Sequence, residues 1–209
     1  MRNSRWICIF GFVLLFSLAS GAQQFPKVEL AGGYSYVNFH PNVPGISDQN
    51  LNGGGGSFVY NLTNWFGIKA DFMGYAFGSG WTRRLQELGY IGSASGNLFT
   101  YQFGPQLKRH SGKFQPFIEA LYGGAHSNGY ASVLKAKSDG TYQLTGGGGN
   151  NNAFATELGG GLDIVLSKTV QVRPVELDYQ LTRFGYKTYS ANQNNFKYFA
   201  GINFTLGGK

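Results

Sequence analysis
The stretch VELDYQLTRF, Val175–Phe184, alternates strictly over its first eight residues: Val175, Leu177, Tyr179 and Leu181 are apolar, whereas Glu176, Asp178, Gln180 and Thr182 are polar or charged. A period of two marks a β-strand whose successive side chains point to opposite faces. It leaves open which solvent lies on each face. In a soluble sheet the apolar face meets a core and the polar face meets water. In a membrane barrel the apolar face meets lipid and the polar face lines the lumen.

Working outward from this strand, eight alternating segments can be marked: Lys27–Phe39, Asn52–Leu62, Trp65–Phe77, Asn97–Lys108, Phe114–His126, Asn152–Leu166, Val170–Phe184 and Asn195–Leu206. Each has about the nine to eleven residues, or slightly more, that a tilted strand needs to cross a bilayer. Three connections are tight turns, at Thr63-Asn64, Arg109–Lys113 and Ser167–Thr169. Four are long, at His40–Leu51, Gly78–Gly96, Ser127–Asn151 and Gly185–Asn194. Within the second of these, Trp81–Tyr90 reads as a short helix or turn. Consecutive antiparallel strands deliver their connections to alternate ends, so all short turns fall at one end and all long loops at the other. That is the arrangement of an outer-membrane barrel with periplasmic turns and extracellular loops.

Parity sorts the charges. Leu30, Tyr34, Phe66, Ile68, Phe72, Phe99, Tyr101, Phe154, Leu158, Phe196 and Ile202 belong to the apolar face. The opposite face carries Glu29, Asp71, Glu119, Glu157, Asp163, Glu176 and Asp178, seven of the ten acidic residues, together with Lys69 and Lys197. If this face is interior, the carboxylates need partners, because an unpaired charge in a narrow lumen is costly. The expected lumen network is Lys69, Asp71, Glu119, Glu157, Asp163, Glu176, Asp178 and Lys197, with Arg173 as a further candidate. Side chains fill the interior of an eight-stranded barrel, so the network is expected to close it to bulk flow; a narrow ion path is the alternative. Tyr34, Tyr36, Tyr60, Trp65, Tyr179 and Tyr198 are candidates for interfacial aromatic girdles.

The N-terminus has Arg2 and Arg5 before an apolar run, Trp6–Leu18, that ends in Ala19-Ser20-Gly21-Ala22-Gln23. This is the pattern of a secretory signal peptide, residues 1–22, leaving residues 23–209 as one barrel domain. The run falls short of the roughly 18 apolar residues of a membrane span. The single cysteine, Cys8, lies inside it, so the mature chain is expected to lack disulfides, thiol catalysis and cysteine-bound zinc. Without the leader, 15 basic residues face 10 acidic ones. No basic run exceeds two residues and no nucleic-acid motif is present, which argues against nucleic acid as a partner. The 33 glycines and 16% aromatics oppose helices and favour strands.

The opening strand VELAGGYSY (residues 28–36), the stretch GGGLDIVL (159–166), the penultimate strand VRPVELDYQLTRF (172–184) and the closing GINFTL (201–206) together resemble the OmpA-type family of small eight-stranded outer-membrane barrels. The resemblance covers Val28 to Leu206 and implies an all-β, eight-stranded antiparallel up-and-down transmembrane β-barrel. It also implies that Gly201, Phe204 and Leu206 form the assembly signal read by the outer-membrane insertion machinery. Two departures are the continuation through Gly207-Gly208-Lys209 and Phe199 at a position that is usually polar. The implied partners are outer-membrane lipids, that machinery and a ligand of the loops.

Other chemistry is weaker in the sequence. His126 and Ser127, at the outer end of the fifth segment, are the best candidate for a nucleophile and base, but no glycine-framed serine accompanies them; no catalytic, cofactor or metal site is assigned. Gly53–Gly56 and Gly146–Gly149 lack the lysine and helix of a phosphate loop. The remaining alternative fold is a soluble lipocalin-like carrier, which requires the apolar face to turn inward.

Overall fold
The computed structural model describes residues 25–40, 48–77, 82–83, 86–87, 91–136, 142–186, 189–190 and 192–207. The expected signal peptide and most of Trp81–Tyr90 lie outside them; Thr82-Arg83 and Gln86-Glu87 are helical. Ten strands follow in order: β1 Val28–Phe39, β2 Gln49–Asn61, β3 Phe66–Phe77, β4 Gly92–Lys108, β5 Phe114–Ala136, β6 Tyr142–Val165, β7 Val170–Arg183, β8 Gly185–Tyr186, β9 Tyr189–Ser190 and β10 Gln193–Leu206. Eight of them form a closed antiparallel barrel in the order β1-β10-β7-β6-β5-β4-β3-β2. The small β8–β9 pair stands apart as its own sheet.

The barrel closes where β1 meets β10, from Val28↔Leu206 to Asn38↔Phe196. At the middle of this seam Gly33 lies opposite Gly201. A Cβ on either glycine would run into the backbone of the facing strand, so this closure requires the absence of a side chain.

The faces of the wall are inverted relative to a soluble protein. Large apolar side chains point outward and are exposed, among them Leu30, Phe58, Ile68, Phe72, Phe103, Ile118, Tyr122, Leu158, Tyr179, Phe196, Ile202 and Phe204. A soluble monomer rarely shows a contiguous apolar patch beyond a few hundred Å², whereas here apolar side chains exposed on every barrel strand girdle the whole wall. The interior is polar: Lys69, Glu176 and Lys197 are 0% exposed. Both facts exclude the lipocalin-like arrangement and identify a transmembrane barrel, with VELDYQLTRF turning its apolar face to lipid.

The lengths of three strands depart from the sequence reading. β4 begins at Gly92 rather than Asn97, β5 continues to Ala136 rather than His126, and β6 begins at Tyr142 rather than Asn152. Much of the expected third loop is therefore a continuing strand pair, registered from His126↔Asn152 to Ala136↔Tyr142. The physical reason is that alternation reports a difference between two faces. Once the hairpin leaves the membrane both faces meet water, so Gly146–Gly149 and Asn150–Asn152 pair without the pattern that reveals a strand. Similarly, β2 starts at Gln49 and β10 at Gln193, two or three residues before the sequence places them.

Leu177 lies near the middle of β7 and is 43% exposed on the lipid face. Leu177→Arg should cost about 2–4 kcal/mol of folding free energy in vesicles, as a lipid-facing charge near the midplane does. Urea unfolding in vesicles checks this; an unchanged midpoint would contradict the assigned parity.

Candidate functional site in the barrel lumen
The lumen is crossed by one connected network whose charges come from inward positions on seven of the eight barrel strands, while β2 contributes the amide of Asn61. At the turn end, Glu29 on β1 accepts hydrogen bonds from Lys108 Nζ at 2.5 Å, Asn61 Nδ2 at 2.9 Å and Asn203 Nδ2 at 2.6 Å. His110 reaches in from the β4–β5 turn, with Nε2 2.7 Å from Glu29 Oε1 and Nδ1 2.7 Å from the Asn64 carbonyl oxygen. Lys108 also donates to Asp163 Oδ2 at 2.6 Å and to Gln171 Oε1 at 3.0 Å.

Arg173 links this layer to the next. Its guanidinium holds both oxygens of Asp163, with Nε at 2.7 Å and Nη2 at 2.9 Å, while Nη1 donates to Glu176 Oε2 at 2.6 Å. A bidentate grip of this kind combines strong charge-assisted bonds with fixed orientation. The guanidinium also lies over the Phe117 ring, 4.3 Å from its centroid. Beyond it, Lys69 donates to Glu119 Oε1 at 2.7 Å and Glu176 Oε1 at 3.1 Å, and Gln106 Nε2 donates to Glu119 Oε2 at 2.9 Å. Lys197 pairs with Glu157 at 2.5 Å, Asp178 at 3.2 Å, Asp71 at 3.4 Å and Glu176 at 3.5 Å. Gln180 Nε2 completes this layer by donating to Glu157 Oε2 at 3.0 Å.

Toward the loop ends apolar side chains enter the interior beside the buried polar groups Thr182, Gln193 and Asn195, which hydrogen-bond among themselves. Val37, Leu51, Met73, Tyr75, Leu98, Ala125, Ala155, Phe184 and Phe199 form one buried cluster, with Phe39, Phe77 and Ala153 packed against it. Tyr75 ties it to the polar region through a 2.9 Å hydroxyl contact with Ser35 Oγ. Phe199, polar in the pattern the closing strand resembles, belongs to this cluster.

Arg173 is inward because β7 carries a bulge. Gly201 pairs with Arg173 but Phe199 pairs with Glu176, and Ile164 pairs with Val172 but Leu162 with Val175. Three residues of β7 thus span two of either neighbour. The extra residue reverses parity, so Gln171 and Arg173 face inward below the bulge and Glu176, Asp178, Gln180 and Thr182 above it. Pro174, which has no N–H to pair, sits there, and its carbonyl accepts the Tyr198 hydroxyl at 2.9 Å.

The structure brings all eight sequence-selected residues together: Lys69, Asp71, Glu119, Glu157, Asp163, Glu176, Asp178 and Lys197 are each no more than 3% exposed. Glu29, Lys108, His110 and Asn61 join them. Lys108 shares the even-numbered inward parity of Gln102 and Gln106 on β4, so its place was readable by counting. His110 was not, since a turn has no parity. Glu119, Glu157, Glu176 and Asp178 can each bring one carboxylate oxygen within 4.8 Å of the others, a donor set of the type that suits a hard cation. The cations those groups contact are side chains of the barrel itself: Lys69 on Glu119 and Glu176, Arg173 on Glu176, and Lys197 on Glu157, Glu176 and Asp178.

The other selected residues lie elsewhere. Gly201, Phe204 and Leu206 are on β10 at the closing seam, with Phe204 and Leu206 facing lipid. His126 and Ser127 are consecutive on β5 and therefore point to opposite faces. His126 Nδ1 lies 2.7 Å from Asn152 Oδ1, so the two do not form a base and nucleophile.

Lys197 serves four carboxylates at once. Lys197→Met leaves Glu157 and Asp178 without a cationic partner in a buried interior, while Glu176 keeps Lys69 and Arg173 and Asp71 keeps Lys69; it should destabilise the barrel by about 3–5 kcal/mol, read as a lower urea midpoint in vesicles. Adding Glu157→Gln and Asp178→Asn should recover part of the loss; equal stability of Lys197→Met and wild type would show that the network does not bear on folding.

No family model matches the chain, and no curated protein matches it in sequence. Solved structures do. The fold is similar to that of Ail, the attachment invasion locus protein of Yersinia pestis, with TM-score 0.54 and 13% identity over 86% of this chain and 99% of that one. It is also similar to Neisserial surface protein A, with TM-score 0.50 and 10% identity over 86% of this chain and 97% of that one. At these identities the likeness is one of fold, and the fold is the closed eight-stranded antiparallel barrel.

Proposed function
We propose that this protein is an integral outer-membrane barrel whose role is structural or interactive at the cell surface, with a lumen closed to bulk flow. The observation that carries this reading is the interior: a continuous ionic network followed by an apolar cluster leaves the inward side chains almost solvent-free. A channel needs a wet path with sites that bind and release. What the barrel offers to its surroundings is therefore its outer wall and its loops.

The alternation of short turns and long connections supports an orientation with turns in the periplasm and loops outside. The β5–β6 hairpin continues ten residues past His126 on β5, on the order of 30 Å along the strand at roughly 3.3 Å per residue. This makes it the most prominent candidate for a loop ligand. The attachment named for Ail belongs to that protein and supports a surface role here by analogy of fold alone. In this reading residues 1–22 direct export and are removed, and Gly201, Phe204 and Leu206 on β10 are read by the insertion machinery.

Three measurements test it. The protein should partition into the outer-membrane fraction and show a heat-dependent shift in gel mobility; a soluble protein without a shift would overturn the reading. Ser138→Cys should be labelled on intact cells by a membrane-impermeant maleimide while Ser111→Cys is not, and the reverse pattern would invert the topology. Reconstituted protein should give no unit conductance steps in planar bilayers, and discrete steps would replace a closed barrel with a small pore.

A further inference from the structure
The charges of this chain are partitioned by height. The lumen holds seven carboxylates, and of the other acidic residues Asp48 immediately precedes β2 and Glu87 lies between β3 and β4, both at the long-loop end. The turn end is different. Its described residues present Lys27 before β1, Arg109 and Lys113 in the β4–β5 turn and Lys168 in the β6–β7 turn, and no acidic side chain accompanies them in those turns. The carboxylates at this end of the wall, Glu29 and Asp163, are 1% and 0% exposed and committed to the lumen, Glu29 to Lys108, His110, Asn61 and Asn203 and Asp163 to Lys108 and Arg173. Among the described residues, none of the four rim cations has a carboxylate within ion-pair distance. Among the described residues no protein group supplies their counterion.

The rim's own geometry indicates the source. On β2, Val59 and Asn61 are 1% exposed and face the lumen, so Tyr60 between them faces the outer wall. Lys27 Nζ lies over the Tyr60 ring, 5.0 Å from its centroid, and so sits on the wall and away from the lumen mouth. The other cations adjoin outward apolar groups at the same height. Lys113 precedes Phe114, and Lys168 lies two residues beyond Leu166, both of them exposed. Arg109 follows Lys108, whose backbone N–H donates to the carbonyl of Trp65, the exposed indole of the β2–β3 turn. Aromatic groups of this kind settle at the headgroup level of a bilayer, and lysine and arginine beside them lay their stems along apolar surface while the charge reaches the interface.

From this juxtaposition we propose that the turn-end rim, Lys27, Arg109, Lys113 and Lys168, is a binding surface for anionic phospholipid headgroups, which it gathers around the barrel in preference to zwitterionic ones. The occupant is a phosphodiester lipid of the surrounding leaflet, because the cations stand at the edge of the lipid-facing wall. The β2–β3 turn, Thr63-Asn64, carries no charge, so the surface covers the rim at the start of β1 and at the β4–β5 and β6–β7 turns. The identity of that leaflet as the periplasmic one rests on the outer-membrane reading above. Loss of membrane partitioning would count against that reading; an inserted barrel without lipid preference would count against this one.

The test uses the tryptophans. The chain has three, Trp6, Trp65 and Trp81. With Trp6→Phe and Trp81→Phe, Trp65 alone reports the rim. This protein is reconstituted in phosphatidylcholine vesicles containing a minority of phosphatidylglycerol, with bromine placed on the acyl chains of one lipid or the other. Phosphatidylglycerol should quench Trp65 as though enriched roughly two- to fivefold over its share of the bilayer at low salt, falling toward its bulk share at high salt. In the K27Q/R109Q/K113Q/K168Q variant, shown to be folded by its heat-dependent gel shift, the preference should vanish. If that variant does not fold, R109Q/K113Q, which alters two exposed groups of one turn, should lose part of it. Equal quenching by the two lipids in the unaltered rim overturns the proposal and leaves the basic groups to an aqueous anionic partner. A preference that survives removal of the four charges overturns it as well.

Discussion
Inside a bilayer no water is available to pair a backbone N–H or C=O, so a sheet can cross only if it has no edge. For this chain the constraint falls on the seam between β1 and β10, the first and last strands of the barrel, and it is met there by an unbroken register through Gly33 and Gly201. Closing after eight strands makes the tube narrow. A narrow tube forces the inward side chains of every strand into mutual contact. The ionic network follows from that closure combined with the alternation demanded by lipid outside.

Burying such a network does not by itself stabilise a fold more than apolar packing of the same volume would, since desolvation offsets much of the Coulomb attraction. What it does specify is register. A one-residue slip of β7 against its neighbours would turn Glu176 and Asp178 to lipid and Leu177 and Tyr179 to the charges. The Pro174 bulge shows the same demand from the other side: the wall accepts an irregular step so that Arg173 can point inward and hold Asp163 and Glu176. Seven carboxylates are then held by shared cations and by the amides of Asn61, Gln106, Gln180 and Asn203, each donor positioned by its strand.

Much of this was legible in the sequence wherever the two faces of a strand meet different surroundings. VELDYQLTRF states its own orientation, and the same reading places Lys69, Asp71, Glu157 and Lys197 on one inner surface. Legibility ends where that contrast ends. The outer half of β5–β6 has water on both sides, and its glycines and asparagines carry no period even though they pair. Turns have no parity either, which is why His110 gave no sign of reaching Glu29. The bulge was hidden for a third reason: two alternating runs of opposite phase, Gln171-Arg173 and Glu176-Asp178, meet at a proline, and only the neighbouring strands reveal the added residue.

The two ends of the barrel solve different problems. At the turn end the chain is short of residues, and its charged groups are either drawn into the lumen, as Lys108 and His110 are, or left exposed on the rim, as Lys113 and Lys168 are. At the loop end the chain has residues to spare and continues β5 and β6 as a paired hairpin in water. An unpaired segment of that length would carry a large conformational entropy; pairing it strand to strand gives a semi-rigid projection whose bonds are already satisfied. Because the lumen is filled and the wall is lipid-facing, variation in what this barrel recognises can reside in that projection and its neighbouring loops without disturbing the charges that hold the strands in register.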